Sequence, residues 1–308
     1  MKPAPGAFVY AAVAYADIFG FPLTPEELHR WSIGNVQRGT DPHSVAGLTA
    51  VTRRGRPYIV LKGRARLVAA RETNARWVRK KKDIANRAAG ILFRLPTVRL
   101  VGITGGLAME NTGASDDIDF FIIAEHGTLW ITRLAATLIL DMVRMRRRPA
   151  DRRVSDTVCL NMYMDESALT LPDRDRDLFA AHEVLQMKPI RERSGTYRKF
   201  LRANRWAAAF LPNAWREQEH GVPISNYGKN KRETATFLRT ACILILRVFE
   251  PVARRAQLAF MRRRRTTEVV ESGVIRFHPV DARIRVKKEL ARRLRNYNLP
   301  LDKFFYGR

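Results

Sequence analysis

Helices at both ends of the chain around a small central β-sheet, an α+β fold, is the architecture this sequence predicts, and three features predict it. Apolar residues recur at helical spacing through residues 1–95 and 191–308, with recognisable start signals. Two β-rich runs, Val98–Thr104 and Phe120–Ala124, sit close together in the middle, and a third covers Val158–Met164. Charge divides along the same lines. Residues 1–95 hold 17 basic and 6 acidic side chains, residues 96–190 hold 11 and 14, and residues 191–308 hold 28 and 10, for nets of +11, −3 and +18. A slightly acidic centre between basic arms implies a site that concentrates carboxylates, not a uniform polyanion binder.

The 308 residues carry a net charge of +26, and 46% of them are apolar, including 15 Phe and 5 Trp. That is enough apolar surface to build cores, which argues against wholesale disorder. The length suits two or three domains. The expected divisions are a first domain at 1–63, a basic linking helix at 64–95, a core at 96–190 and a basic helical region at 191–308. No membrane-spanning helix is expected, because Arg133 and Asp141, or Arg239 and Arg247, interrupt the longest apolar stretches. Cys159 and Cys242 read as buried thiols of a reducing compartment, and the six histidines lack ligand spacing, so no zinc site is expected. Lys2, the apolar run Ala7–Ala16 and Ala14-Tyr15-Ala16 imitate a secretory signal. A single preceding charge and the continuation Pro22-Leu23-Thr24 read instead as an ordinary helix of a cytoplasmic protein.

The first helix is expected over 7–19, ending at Gly20. Thr24-Pro25-Glu26-Glu27 then starts a second: Thr as N-cap, Pro at the first position and Glu27 three residues after the cap. A third is expected from Asp41-Pro42 through Val45 and Leu48. The turn Arg53-Arg54-Gly55-Arg56-Pro57 leads into a strand at Tyr58–Leu61. Three helices and a basic hairpin is the order of a winged helix, with Arg53, Arg54 and Arg56 as wing contacts to nucleic-acid phosphate. The third helix offers few basic groups, with His43 and Ser44 its main polar ones, so a module for protein contacts fits as well. Residues 64–94 read as one long helix whose run Arg79-Lys80-Lys81-Lys82 is a solvated face or lines the approach to the acidic centre.

Pro96 ends that helix and the first β-run delivers the chain to Gly105-Gly106. Ten residues later come Asp117-Ile118-Asp119 and the second run. Residues two apart in a strand share a face, so Asp117 and Asp119 point the same way while Ile118 turns into the core. Carboxylates held that close repel unless a cation lies between them, and oxygen ligands favour a hard ion such as Mg²⁺, with Mn²⁺ as a substitute. The glycine pair allows close backbone approach, as phosphate-binding turns require.

Gly105-Gly106, the spacer and Asp117-Ile118-Asp119 resemble the signature of the polymerase-beta-type nucleotidyltransferase superfamily, in its small bacterial and archaeal branch. The resemblance covers about residues 96–125, and it implies a small mixed-sheet core. It also implies Mg²⁺-dependent movement of a nucleoside monophosphate from an NTP to a hydroxyl, with release of pyrophosphate. Carried over residue by residue, it makes Asp117 and Asp119 metal ligands and places Thr104, Gly105, Gly106 and Ser115 against the nucleotide. The chain departs from the pattern twice. Gly106 stands where the family has Ser, leaving Thr104 to supply a hydroxyl, and Asn161 stands where a third carboxylate is usual, with Asp156 and Asp165 flanking it.

After this core, a helix is expected over Gly127–Arg148, where Arg144, Arg146, Arg147 and Arg148 suit the C-terminal dipole. Further helices are expected at Asp173–Gln186, stopped by Lys188-Pro189, and at 194–211. A loop follows, then a helix at 232–260 that is apolar around Ile243–Phe249. Core is the first reading of that helix and a membrane surface the second. Val274–Pro279 breaks the helical pattern, which resumes over Asp281–Arg295. Lys229, Arg276 and His278 are candidates for triphosphate or acceptor contacts, with RNA or DNA as possible polymer partners of the basic arms. The alternative function is a non-catalytic winged-helix regulator that senses a nucleotide through a degenerate site. Which nucleotide, and whether the acceptor is RNA, protein or a small molecule, stays open at this level.

Overall fold

The computed structural model describes residues 5–34, 41–148, 151, 154–220, 236–262, 269–271, 273–276 and 282–295. A hairpin of β1 (Leu48–Arg53) and β2 (Arg56–Leu61) stands apart from a six-stranded mixed sheet. The sheet comprises β3 (Val98–Ile103), β4 (Ile118–Ala124), β5 (Val158–Asp165), β6 (Lys188–Glu192), β7 (Val269–Glu271) and β8 (Val274–Arg276). Their order is β6-β3-β4-β5-β8-β7; β4 and β5 run parallel and the other neighbours antiparallel.

The helices are α1 (Pro5–Ile18), α2 (Pro25–Arg30), α3 (Arg66–Leu92), α4 (Gly105–Ala108) and α5 (Leu129–Met142), then α6 (Leu178–Gln186), α7 (Thr196–Ala203), α8 (Pro212–His220), α9 (Thr236–Arg262) and α10 (Ala282–Leu294). The alternation of β4 sorts them into two layers. Ile118, Phe120 and Ile122 join a core with α3, α5 and α9, whereas Phe121 and Ile123 join one with α1, α6, α7, α8 and α10. Asp119 therefore belongs to the second face, under α1 and α6.

Several local signals fold as read. Thr24 and Glu27 close a reciprocal capping box, with Pro25 at the first helical position. The stretch Ala11–Ala16 is buried, and the buried Asp17 accepts from Arg64 (2.8 Å) and Arg293 (2.9 Å), tying α1 to α10. Arg54 and Gly55 both have positive φ, 48° and 75°, as the two-residue turn of a twisted hairpin requires.

Other expectations are corrected. The third helix is a single 3-10 turn over Pro42–Ser44 followed by β1. β2 needs a hydrogen-bonding partner, and the β-branched Thr49, Val51 and Thr52 supply one in the register Leu48↔Leu61. The helix after β4 stops at Met142, so the arginines of 144–148 lie beyond it. Asp177 caps α6, shortening the helix expected from Asp173. Lys188–Glu192 does not merely stop that helix but becomes β6, which pairs with β3. Asn204 breaks the helix of 194–211, its side chain bonding Leu171 N and Leu169 O, and Pro212–His220 is helical. Within Ile243–Phe249, Ile243 is buried while Leu244, Ile245, Val248 and Phe249 are exposed. That segment is not core.

Lys81 explains how a helix on one face fixes the loop at the head of β4. It is fully buried, and its ammonium donates to Asp116 O (2.5 Å) and Asp156 Oδ1 (3.0 Å), while Lys80 holds Asp156 Oδ2 at 2.6 Å. Partial burial pushes the Asp156 carboxyl up, but the bonds from Lys80 and Lys81 outweigh it and lower its pKa. Removing Lys81 leaves Asp156 to Lys80 alone, takes the charged donor from the Asp116 carbonyl and empties the space of a fully buried side chain. Lys81→Ala is expected to destabilise the fold by about 3 kcal/mol, measured as a lower urea midpoint, while Arg79→Ala on the exposed side leaves it unchanged.

Candidate active site

Three side chains, one from the loop that Lys81 secures and two from strands, converge here. Asp117 closes that loop, Asp119 lies inside β4, and Cys159 sits directly opposite Asp119 on β5. One ligand atom from each of the three falls within 4.8 Å of the others. Arg147, reaching in from beyond α5, donates to Asp117 Oδ2 at 2.5 Å. Its backbone is fixed by the bonds Arg147 N to Val158 O (2.8 Å) and Val158 N to Met145 O (2.7 Å), which lay this segment along the start of β5.

Burial, the charge of Asp117 and that of Glu183 push the Asp119 carboxyl up to about 7, against the opposing pull of Arg147 and the Cys159 thiol. Burial and the two neighbouring carboxylates push that thiol up to about 12, so it stays protonated at neutral pH. The donor set is thus two carboxylates beside a neutral thiol, strained by mutual repulsion. It fits a hard divalent ion such as Mg²⁺ or Mn²⁺, with Asp117 and Asp119 as the ligands.

The glycine turn packs directly on this pair. A Cβ at Gly105, where φ is +61°, would lie 2.5 Å from Asp119 Oδ2, so a side chain there would displace the carboxylate. At Gly106 a Cβ would meet the Asn111 carbonyl oxygen at 2.7 Å, in a turn closed by Asn111 N donating to Gly106 O. The serine of the resembled pattern has no room without a backbone shift. Thr104 precedes the turn, its N–H donating to Asp119 O at 3.0 Å.

Asp119, Gly105, Gly106 and Asn161 open into one cavity of about 220 Å³, whose far wall carries Tyr15, Phe19 and Trp31. Asn161 reaches it through a β-bulge: Phe120 pairs with Leu160 and Phe121 with Met162, leaving Asn161 unmatched between them. α6 contributes Phe179, His182, Glu183 and Gln186 to the same wall. Burial pushes Glu183 up to about 7 and His182 down to about 3, so the histidine is neutral. His182 stacks on Tyr15 with centroids 3.9 Å apart, and its Nδ1 lies 2.9 Å from Gln186 Nε2.

Glu183 and Arg147 are the residues that sequence reasoning missed. For Glu183 a signal exists: Phe179, His182, Glu183 and Gln186 fall at i, i+3, i+4 and i+7, one polar-aromatic face on an otherwise apolar helix. Arg147 is masked by its arginine run, of which Arg146 and Arg148 both bond Asp141.

The remaining expected residues lie elsewhere. Ser115 is exposed in the loop ahead of Asp117. Asp156 is held by the two lysines, and Asp165 accepts from Gly127 N and Ser167, so neither stands as a third carboxylate. Arg53 bonds Glu72 at 2.5 Å and Arg54 approaches it at 3.7 Å, while Arg56 is exposed at the tip of the hairpin. Arg276 is drawn to Asp175 at 2.5 Å. Lys229 and His278 lie outside the described residues, and His43 lies outside those with described side chains.

The raised carboxyl of Asp119 has a consequence for stability. Its folded form keeps a proton that the unfolded chain has lost, so from about pH 4 to pH 7 it makes stability fall as pH rises. Asp119→Asn is expected to raise the urea midpoint at pH 8 and to leave it unchanged at pH 4, with a gain of at most about 4 kcal/mol. Equal shifts at both pH values would contradict this.

No family model matches the chain, and neither the curated proteins nor the solved structures searched contain a match.

Proposed function

We propose that the chain is a divalent-metal-dependent nucleotidyltransferase that moves an NMP from an NTP to a hydroxyl acceptor. One observation carries the reading: the neighbouring carboxylates of Asp117, at the end of the loop, and Asp119, inside β4, lie beside a glycine turn so close that a Cβ at Gly105 would strike Asp119. Asp117 and Asp119 would hold Mg²⁺ or Mn²⁺, which when bound neutralises triphosphate charge and orients the phosphoryl group. The backbone of Gly105-Gly106 approaches the phosphates, and Arg147, already paired with Asp117, offers a fixed cation to them.

The third carboxylate of the resembled pattern is replaced in this reading by Glu183. It lines the cavity with Asp119, and its pKa near 7 suits a general base for an acceptor hydroxyl. In the transfer, the acceptor oxygen bonds to the α-phosphorus, its proton passes to Glu183, and the bond to pyrophosphate breaks. Asn161, neutral and in the bulge, serves as a hydrogen-bonding wall. The aromatic wall of Tyr15, Phe19 and Trp31 favours a ring-bearing group, either the base of the NTP or a small acceptor.

The regulator reading has less support. Its recognition helix is replaced by a 3-10 turn and a strand, and two of its three wing arginines are engaged by Glu72.

The test is transfer of label from each α-labelled NTP, with Mg²⁺ or Mn²⁺, to total RNA, protein or small-molecule extract. Label on one acceptor class is expected, falling at least ~10³-fold in Asp119→Asn and ~10²-fold in Glu183→Gln. NTP binding without transfer from any nucleotide would overturn the enzymatic reading.

A further inference from the structure

Away from the candidate site, the outer face of α9 exposes large apolar side chains to which no role has been given. On a helix each residue advances ~100°, which places Phe237, Leu244, Ile245 and Val252 within ~60° of Val248 around the axis. All five are between 55% and 84% exposed. The opposite face does the packing: Ile243, Ala253, Gln257 and Met261 are buried, and Gln257 donates to Trp130 O on α5. A continuous stripe of large apolar side chains over four turns is more than scattered surface residues require.

The charge around the stripe has one sign. Arg254 and Arg255 are exposed on the same helix, and the sequence continues into Arg263-Arg264-Arg265. The single acid of the helix, Glu250, turns inward, its carboxylate accepting from Trp130 N (2.7 Å) and Ile131 N (2.9 Å) at the head of α5. The solvent side is therefore apolar and cationic, with no carboxylate exposed on the helix. Leu138 and Met142 on α5 and Val143 just beyond it are also exposed, next to the exposed Arg144.

We propose that the outer face of α9 docks on an anionic lipid bilayer, lying in the plane of the headgroups. Acyl chains take the stripe, and lipid phosphates take Arg254 and Arg255. Charge decides against the other occupants. A second copy would bring another +26 chain and a second Arg255, which lies ~20° from Val248, to the same seam. A nucleic acid would pair with the arginines but leave the stripe in water. The helix lies on the surface and does not cross it: among the described residues no helix is long and apolar enough to span a membrane.

The test is sedimentation of the full chain with vesicles of phosphatidylglycerol and phosphatidylcholine, or of phosphatidylcholine alone. Binding is expected to anionic vesicles and to weaken by about tenfold or more on pure phosphatidylcholine, and again on raising salt. Leu244→Glu/Val248→Glu is expected to abolish it, and Arg254→Glu/Arg255→Glu to weaken it. Because all four side chains point to solvent, thermal melting should be unchanged in both variants. Absent binding to anionic vesicles at low salt, or equal binding by the apolar variant, would overturn the proposal. So would a dimer in light scattering that the apolar substitutions dissociate while vesicle binding is absent. Nucleotidyl transfer is unaffected by either result, so this proposal and the enzymatic one fail separately.

Discussion

Repulsion between Asp117 and Asp119 is the constraint around which the centre of this protein is built. Left to itself a carboxylate pair at the head of a strand would splay apart, and here each side is fixed by a different element. Lys81 enters from α3, fully buried, and holds the loop through the Asp116 carbonyl. Arg147 comes from beyond α5 and neutralises Asp117. Asp119 lies so close to the glycine turn that a Cβ at Gly105 would meet its carboxylate, and burial together with the charges of Asp117 and Glu183 raises its pKa. The remaining strain is what a divalent cation would relieve.

The surrounding charge serves the same end. A chain of +26 that concentrates its acids near residues 96–190 surrounds the carboxylates with cations, several of them already committed to structural ion pairs. Asp17 between Arg64 and Arg293 joins the first helix to the last, and Asp175 takes both Arg276 and Arg283. Basic residues that would read as polyanion contacts in the sequence are thus partly occupied in clamping the helices over the sheet. α1, buried along Ala11–Ala16, lines the cavity beside Asp119, so the start of the chain and the face that carries Asp119 share one core.

How much of this is legible in the sequence follows from the range of each signal. The strand carrying Ile118 and Asp119, the glycine turn, the capping box at Thr24 and the long helix ending before Pro96 are local patterns that fold as read, except that Asp117 stays in the loop ahead of the strand. The Leu48–Arg53 strand escapes because the helix start at Asp41-Pro42 reads on into it, and its β-branched Thr49, Val51 and Thr52 count as strand only once the partner at Arg56–Leu61 is in place. β6 escapes for the same reason, since its pairing is with β3, far away in sequence. Of the site, Asp117, Asp119, Gly105 and Gly106 are read from spacing, and Asn161 only from the family resemblance. Glu183 and Arg147 arrive from helix and loop segments whose proximity is purely tertiary. The exposed stripe of α9 reads as core because hydropathy does not say which apolar face finds a neighbour.

The most direct test of the carboxylate pair as a metal centre is binding of Mn²⁺, followed by the loss of the free-ion electron paramagnetic resonance signal, in the presence of a non-hydrolysable NTP. Wild-type protein is expected to bind Mn²⁺ saturably and in competition with Mg²⁺, with Asp117→Asn and Asp119→Asn each weakening it by at least about tenfold while remaining folded. Unchanged Mn²⁺ affinity in both variants would contradict a metal role for these carboxylates and with it the catalytic reading of the site.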